Sequence, residues 1–186
     1  MSVRLLVLPG SLRARSYNVA LARCAIELAP DDVEAELYDR LRAIPPYDAD
    51  VDGSRAPAAV RDLRERIARA DAVLFVTPEY NGSVPGVLKN AVDWASRPRE
   101  GAALAGKTVA VTGVSTGQYG ALWAQQDLRR ILGIAGARVV GGELPVARAE
   151  EVFDEHGRLR DSGVEERLRT HLVELVREAT LAPLVA

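Results

Sequence analysis

Short apolar runs alternate with longer amphipathic segments along most of this sequence, and that alternation restricts the possible folds more than any other feature. The first run, Val3–Leu8, is almost continuously apolar, which is typical of a parallel strand buried on both faces. Farther along, Val60, Leu63 and Ile67 recur at helical spacing, with arginines between them. Five strand–helix units in succession predict an α/β protein, in which one parallel sheet carries helices on both faces.

The same pattern sets approximate bounds for the individual elements. Strands are predicted at Val3–Leu8, Val33–Asp39, Ala72–Thr77, Thr108–Val114 and Arg138–Val146. Helices are predicted from Ser16 or Asn18 to Ala29, and over Ala58–Ala70, Val84–Ser96, Gly120–Ala135 and Val164–Leu181. The proline- and aspartate-rich segment Leu41–Pro57 is predicted to be a loop. No linker or internal repeat interrupts the 186 residues, so residues 1–186 are expected to form one domain.

Charge and hydropathy exclude several classes of partner. Lys and Arg together number 24 and Asp and Glu number 26, so the formal net charge is −2 and gives no case for general nucleic-acid or anionic-membrane binding. No apolar run approaches the roughly 20 residues that span a bilayer. The start, Met1-Ser2-Val3-Arg4, shows no cleavage pattern, and a cytoplasmic location is therefore expected.

Residues that usually carry nucleophilic or metal chemistry are scarce. Cys24 is the only cysteine, which excludes an intramolecular disulfide and any multi-cysteine metal site. Its apolar, helical setting favours a packed thiol over a nucleophile. His156 and His171 have no partner at a metal-binding spacing, so both are interpreted as surface or structural residues.

The loop after the first predicted strand has the composition of an anion site. In open α/β sheets, ligands bind beyond the carboxyl ends of the strands. This loop contains neither the GxGxxG nor the GxxxxGK[ST] spacing, but it supplies the Ser11 and Ser16 hydroxyls, the Arg13 guanidinium and the Asn18 amide just before a helix. A helix start favours a phosphate. Serine and asparagine are equally suited to capping the helix, so both interpretations stand.

Two further loops follow predicted strands at the same edge of the sheet. In Thr77–Gly86, Pro, Asn and Gly predict an irregular backbone that could meet the edge of a flat heterocycle, with Tyr80 as an aromatic wall. Glu79 is expected to be a solvated carboxylate, and on these residues alone a purely structural turn is the favoured interpretation. In Val114–Gly120, Ser115 and two glycines permit close approach of the backbone to a ligand. One elongated ligand, with its phosphate at the first loop, would use all three loops.

These loops carry a family resemblance. The sequence resembles the NADPH-dependent FMN reductase family, whose relatives include quinone, azo-dye and chromate reductases. The resemblance rests on Gly10-Ser11-Leu12-Arg13 with Ser16 and Asn18, on Pro78-Glu79-Tyr80-Asn81-Gly82-Ser83, on Pro85 through Trp94, on Ser96-Arg97-Pro98, and less specifically on Ser115-Thr116-Gly117. It implies a flavodoxin-like three-layer sandwich with a five-stranded parallel sheet, in strand order 2-1-3-4-5, that binds FMN noncovalently.

The resemblance also implies roles for individual residues. The FMN phosphate would be held by Ser11, Arg13, Ser16 and Asn18. The isoalloxazine ring would be bordered by Pro78, Glu79, Tyr80, Asn81 and Gly82, with Ser115 at a neighbouring edge. Family members form homodimers or homotetramers with the flavin near a subunit boundary, which suggests that Pro46-Tyr47-Asp48 approaches the partner's flavin. Lys89 and Asp93 are expected in helix or interface roles. Trp94 is expected either at the subunit surface or in the core.

The implied activity is that of an FMN-dependent NAD(P)H oxidoreductase. NADPH or NADH would donate hydride to bound FMN, and electrons would then pass to a quinone or another small acceptor. Because the cofactor supplies the chemistry, no catalytic side chain is assigned. The main alternative is a flavodoxin-type electron carrier, which has the same fold but does not oxidise NAD(P)H by itself. An unliganded regulatory α/β domain is a third interpretation.

Overall fold

The structure, a computed structural model, describes residues 2–181. Its strands are β1 (Val3–Pro9), β2 (Val33–Leu37), β3 (Ala72–Val76), β4 (Thr108–Val114), β5 (Arg138–Val139) and β6 (Leu144–Val146). Its helices are α1 (Tyr17–Glu27), α2 (Ala58–Arg69), α3 (Gly86–Ala95), α4 (Leu122–Ile134), α5 (Ala149–Val152) and α6 (Ser162–Leu181). All strand pairs are parallel, in the order β2-β1-β3-β4-β5, with β6 also paired to β4. The predicted flavodoxin-like order is confirmed.

The core forms two layers because successive strand residues point to opposite faces of the sheet. On β1, Leu6 and Leu8 belong to one layer, which also contains buried residues of α2, α3 and α4. Leu5 and Val7 belong to the other layer, with buried residues of α1 and α6. The continuous apolar run in β1 therefore has a direct cause, since both of its faces are covered. That residues 1–186 form one domain stays a prediction.

The predicted strand Arg138–Val146 is wrong as a single element, because it is broken into β5 and β6. Two glycines cause the break, and the first, Gly141, has φ +63, outside the strand region. Arg129 of α4 stabilises the segment between the two strands. Its guanidinium donates to the carbonyls of Val140, Gly141 and Gly142, and the Gly141 oxygen lies 2.6 Å away. Both short strands still pair with β4, so the order of the sheet is kept.

The loop before α2 contains three short 3-10 turns and is attached to α3 through its Pro45–Tyr47 segment. Asn90 Nδ2 and Trp94 Nε1 each donate to the Pro45 carbonyl at 2.8 Å. The Tyr47 amide donates to Asn90 Oδ1 at 2.8 Å, and the Tyr47 ring packs edge-on against Trp94. Trp94 is fully buried in its own chain, so its role is in the core and the surface interpretation is wrong.

The cysteine and the two histidines lie where the sequence analysis expected structural or surface residues. Cys24 is buried in α1, and burial raises the pKa of its thiol, as expected of a packed cysteine. His171 is buried in α6, where burial lowers the pKa of its imidazole, while His156 is exposed. Lys89 pairs with Asp93 one turn along α3 at 2.7 Å.

Among residues 2–181, no helix is both long enough and apolar enough to cross a bilayer.

Candidate functional site

A cleft of about 170 Å³ lies at the carboxyl ends of β1, β3 and β4, between the three loops that follow them. We call it the three-loop cleft. Its lining comprises Ser11, Arg13, Ser16, Tyr17, Asn18, Pro78, Glu79, Tyr80, Val114, Ser115 and Thr116. It therefore brings together every predicted site residue except Asn81 and Gly82. The lining also contains Tyr17, Val114 and Thr116, which the sequence analysis did not name as site residues, although the last two lie inside the third predicted loop.

Cleft size alone does not locate this site. Larger clefts lie between β2 and α2, between α3 and α4, and beside the start of α1, with volumes of about 440, 520 and 700 Å³. The three-loop cleft differs because three strand ends and a helix start converge on it. That convergence is the usual position of ligands in an open α/β sheet.

The first loop carries two hydroxyls that the protein uses only as acceptors. Ser16 Oγ accepts from the Asn18 amide at 3.2 Å and caps α1, so the capping interpretation is correct for this residue. Ser11 Oγ accepts from the Arg13 amide at 3.4 Å. Within the described residues neither hydroxyl donates to the protein, so each has a proton available for an anion. Capping and anion binding are therefore compatible.

Arg13 supplies the charge at this end of the cleft. Its side chain is exposed, and it forms no ion pair within residues 2–181. The loop itself is held in place, since Arg42 Nη2 donates to the Leu12 carbonyl at 2.7 Å. A free guanidinium beside the amino end of α1 creates a positive potential that suits a phosphate.

Asn18 connects the first loop to the third. Its Nδ2 donates to the Val114 carbonyl at 2.9 Å, and its Oδ1 accepts from the Val114 amide at 3.0 Å. The side chain is buried, with a residue exposure of 4%. The amide therefore fixes the start of α1 against the end of β4, and only one of its N–H groups remains for a ligand.

The second loop is a tight hairpin rather than the predicted irregular backbone. Tyr80 and Ser83 exchange two backbone hydrogen bonds of 3.1 and 3.2 Å. Between them, Asn81 and Gly82 have φ +53 and +72, the conformation of a type I′ turn. Asn-Gly is the preferred sequence for this turn, so the signal was present in the sequence. The turn places Asn81 and Gly82 at the tip of the hairpin, beyond the lining of the cleft.

Two side chains fasten this hairpin to α4. Glu79 Oε2 accepts from the Ala124 amide at 3.1 Å, in the first turn of the helix. Ser83 Oγ donates to Asp127 Oδ2 at 2.7 Å. The expectation that Glu79 is a solvated carboxylate is therefore wrong. Its negative charge stabilises the amino end of α4, because the N-cap residue of this helix, Ala121, has no side-chain acceptor.

The third loop requires glycine at its last position. Gly120 has φ +58, and a Cβ built there would lie 2.6 Å from the Val146 amide nitrogen. The backbone of the loop thus packs directly on β6, and the Ser115 amide donates to the Val146 carbonyl at 3.1 Å. At Gly117, by contrast, a Cβ would meet only Ser115 Oγ, at 3.7 Å.

The fold and the cleft together define a class: a flavodoxin-like α/β protein with a cleft between three loops at the carboxyl edge of its sheet. The sequence profile of the NADPH-dependent FMN reductase family matches residues 3–151. This range includes all three loops. The chain belongs to the NADPH-dependent FMN reductase family.

Known proteins are similar to this chain in sequence and in structure. The chain is 42% identical over 174 residues to an NAD(P)H-dependent FMN reductase of Pseudomonas aeruginosa, covering 93% of each chain. It is 42% identical over 156 residues to a quinone reductase of Pseudomonas putida, covering 83% of each. The solved structure of FerB, a flavoenzyme NAD(P)H:(acceptor) oxidoreductase from Paracoccus denitrificans, superposes with a TM-score of 0.85 at 34% identity, covering 97% of this chain and 98% of FerB.

Proposed function

We propose that this protein is an FMN-dependent NAD(P)H oxidoreductase that passes electrons to a quinone or another small acceptor. The observation that carries the proposal is the three-loop cleft, where Arg13, which forms no ion pair within the described residues, and two available serine hydroxyls lie at the amino end of α1. The relatives named FMN reductase and quinone reductase support it, because they match most of the chain.

The residues present fit FMN. Ser11, Arg13 and Ser16 would hold the phosphate, and Asn18 would contribute chiefly by positioning the loop. Pro78, Glu79, Tyr80 and Ser115 line the other part of the cleft and would border the ring. Asn81 and Gly82, at the hairpin tip beyond this lining, would lie at the outer edge of the ring.

The chemistry belongs to the cofactor. When bound, FMN would supply the redox chemistry, which is the acceptance of a hydride from NADPH or NADH and the transfer of two electrons to the acceptor. The side chains of this protein bind and orient, so no acid–base residue is assigned among them. Anaerobic mixing with NADPH distinguishes this enzyme from a flavodoxin-type carrier, because only the enzyme is reduced directly.

Replacing Arg13 with alanine is expected to weaken FMN binding by about tenfold to a hundredfold, the effect of losing a hydrogen bond to a charged group. Arg13 is exposed and has no partner in residues 2–181, so the unfolding midpoint of the FMN-free protein should not change. Quenching of flavin fluorescence during titration measures the affinity.

The matched control is Arg15→Ala, which removes a neighbouring exposed arginine that lies outside the lining of the three-loop cleft. Its FMN affinity should fall by no more than about threefold, because an exposed arginine that does not line the cleft contributes only a solvent-screened charge. Equal losses in the two variants would mean that general positive charge, rather than Arg13 itself, binds the phosphate.

The proposal includes a homodimer or homotetramer in the cytoplasm, with FMN near a subunit boundary. Pro46 and Asp48 are exposed on the loop that Asn90 and Trp94 hold against α3. Such a fixed, exposed loop is suited to approach a partner's site. A cytoplasmic location agrees with the use of NADPH or NADH as the reductant.

A further inference from the structure

Exposed aromatic side chains are concentrated beside the three-loop cleft. Tyr80, Tyr119 and Trp123 have exposures of 49%, 50% and 46%. Within the described residues, the other large hydrophobic side chains that are exposed are all aliphatic: Ile134, Val173 and Leu181. These three lie on α4 and α6, away from the loops. We call the three aromatic residues the aromatic rim.

The rim residues belong to the segments that form the cleft or lie next to them. Tyr80 itself lines the cleft. Tyr119 belongs to the same loop as Ser115 and Thr116, which line it as well. Trp123 precedes Ala124, whose amide donates to Glu79 on the hairpin at 3.1 Å.

Two of the rim residues support each other. The Tyr119 and Trp123 ring centroids lie 4.8 Å apart, with the planes inclined by 47°. This contact restricts both rings while leaving about half of each side chain exposed. The pair is therefore preorganised to accept a third flat ring without further ordering.

We propose that Tyr119 and Trp123, with Tyr80, bind planar aromatic electron acceptors at the mouth of the cleft and determine the preference for them. This inference rests on the proposed function, and it concerns only the binding of the acceptor. An uncharged aromatic surface recognises a flat apolar ring far better than an inorganic anion.

The test compares two acceptors in steady-state assays of the FMN-loaded protein with NADPH: menadione, which is flat and aromatic, and ferricyanide, which is an inorganic anion. The double variant Tyr119→Ala/Trp123→Ala should raise the KM for menadione by about tenfold and leave that for ferricyanide within about twofold. Binding of menadione to the oxidised protein, followed by flavin absorbance, should weaken in parallel. Trp123→Phe should keep most of the menadione affinity.

The control is Ile134→Ala, which removes a more exposed apolar side chain from the same helix and should change neither acceptor. If the double variant folds poorly, Trp123→Leu keeps the apolar volume without the aromatic face and should also raise the menadione KM. Equal changes for both acceptors, unchanged menadione binding, or dissociation into smaller oligomers with loss of activity towards both acceptors would overturn the inference. Failure of the parent protein to bind FMN or to oxidise NADPH would instead reject the proposed function.

Discussion

Replacing Gly120 with alanine is expected to destabilise the protein by about 3 kcal/mol or more, a large part of the roughly 5–15 kcal/mol by which a typical domain is stable. The added Cβ would lie 2.6 and 2.7 Å from backbone atoms of Val146 and 2.8 Å from the Ala147 nitrogen. Backbone atoms of a paired strand cannot move aside as a flexible side chain can. The positive φ of Gly120 adds about 1–2 kcal/mol of strain for any residue with a Cβ.

The measurement is urea unfolding of the FMN-free variant, or its soluble yield if it does not fold. Gly117→Ala is the matched control, because it makes the same change in the same loop where a Cβ would have only one neighbour, at 3.7 Å. The control should lose less than about 1 kcal/mol. A Gly120 variant as stable as the control would show that the third loop does not pack on β6 as described.

Replacing Asn18 with aspartate is the second change for which we expect a large effect. The substitution is nearly isosteric, yet a carboxylate oxygen would replace Nδ2 opposite the Val114 carbonyl, 2.9 Å away. The charge would be buried and would face another acceptor, so the free energy of unfolding at neutral pH should fall by about 3–5 kcal/mol. FMN should also bind less tightly, because α1 and β4 would no longer be held together.

The loss should depend on pH. Burial beside a carbonyl raises the folded-state pKa of the new carboxyl above its unfolded value of about 3.9. The destabilisation is therefore greatest well above the folded pKa, and it diminishes as the pH falls through that pKa, because a protonated carboxyl can donate to Val114. Urea unfolding at about pH 8 and about pH 5, referred to the parent protein, measures the trend.

Asn81→Asp is the control for this charge change. Asn81 is exposed at the hairpin tip, and Asp-Gly also suits a type I′ turn, so its stability should stay within about 0.5 kcal/mol at both pH values. Equal effects at the two positions would contradict the role of Asn18 in joining the loops.

The parallel sheet and the meeting of the three loops at one cleft were predictable from the apolar pattern and from the geometry of parallel sheets. Apolar runs such as Val3–Leu8 report burial on two faces, and parallel strands bring their following loops to one edge. The hairpin was also within reach, since Asn81-Gly82 is the usual sequence of a type I′ turn. The loop was interpreted as irregular backbone because the turn preference of Asn-Gly was overlooked, although the sequence contained that signal.

Other features depend on contacts between distant residues. Asn18 and Val114 are 96 positions apart, and no local sequence pattern at either residue predicts the hydrogen bonds between them. The role of Glu79 requires knowing that the hairpin lies against the amino end of α4. The burial of Trp94 follows from the placement of the Pro45 loop over α3. Long-range placement of this kind cannot be read from the spacing of residues in one segment.

These distant contacts share a purpose in the proposed site. Asn18 joins the first loop to the third, and Glu79 and Ser83 join the second loop to α4, which follows the third. The three loops are thus fixed relative to one another before any ligand binds. A preformed cleft avoids the cost of ordering loops on binding, which favours tight noncovalent retention of a cofactor.

Anaerobic mixing of the FMN-reconstituted protein with NADPH tests the central claim most directly. Purified protein is saturated with FMN, freed of excess cofactor and mixed with NADPH in the absence of oxygen, while the flavin absorbance is followed. We expect the protein to retain FMN, the flavin band to bleach without any partner protein, and added menadione to restore it. Protein that retains no FMN, or FMN whose absorbance NADPH leaves unchanged, would contradict the assignment of this chain as an NAD(P)H oxidoreductase.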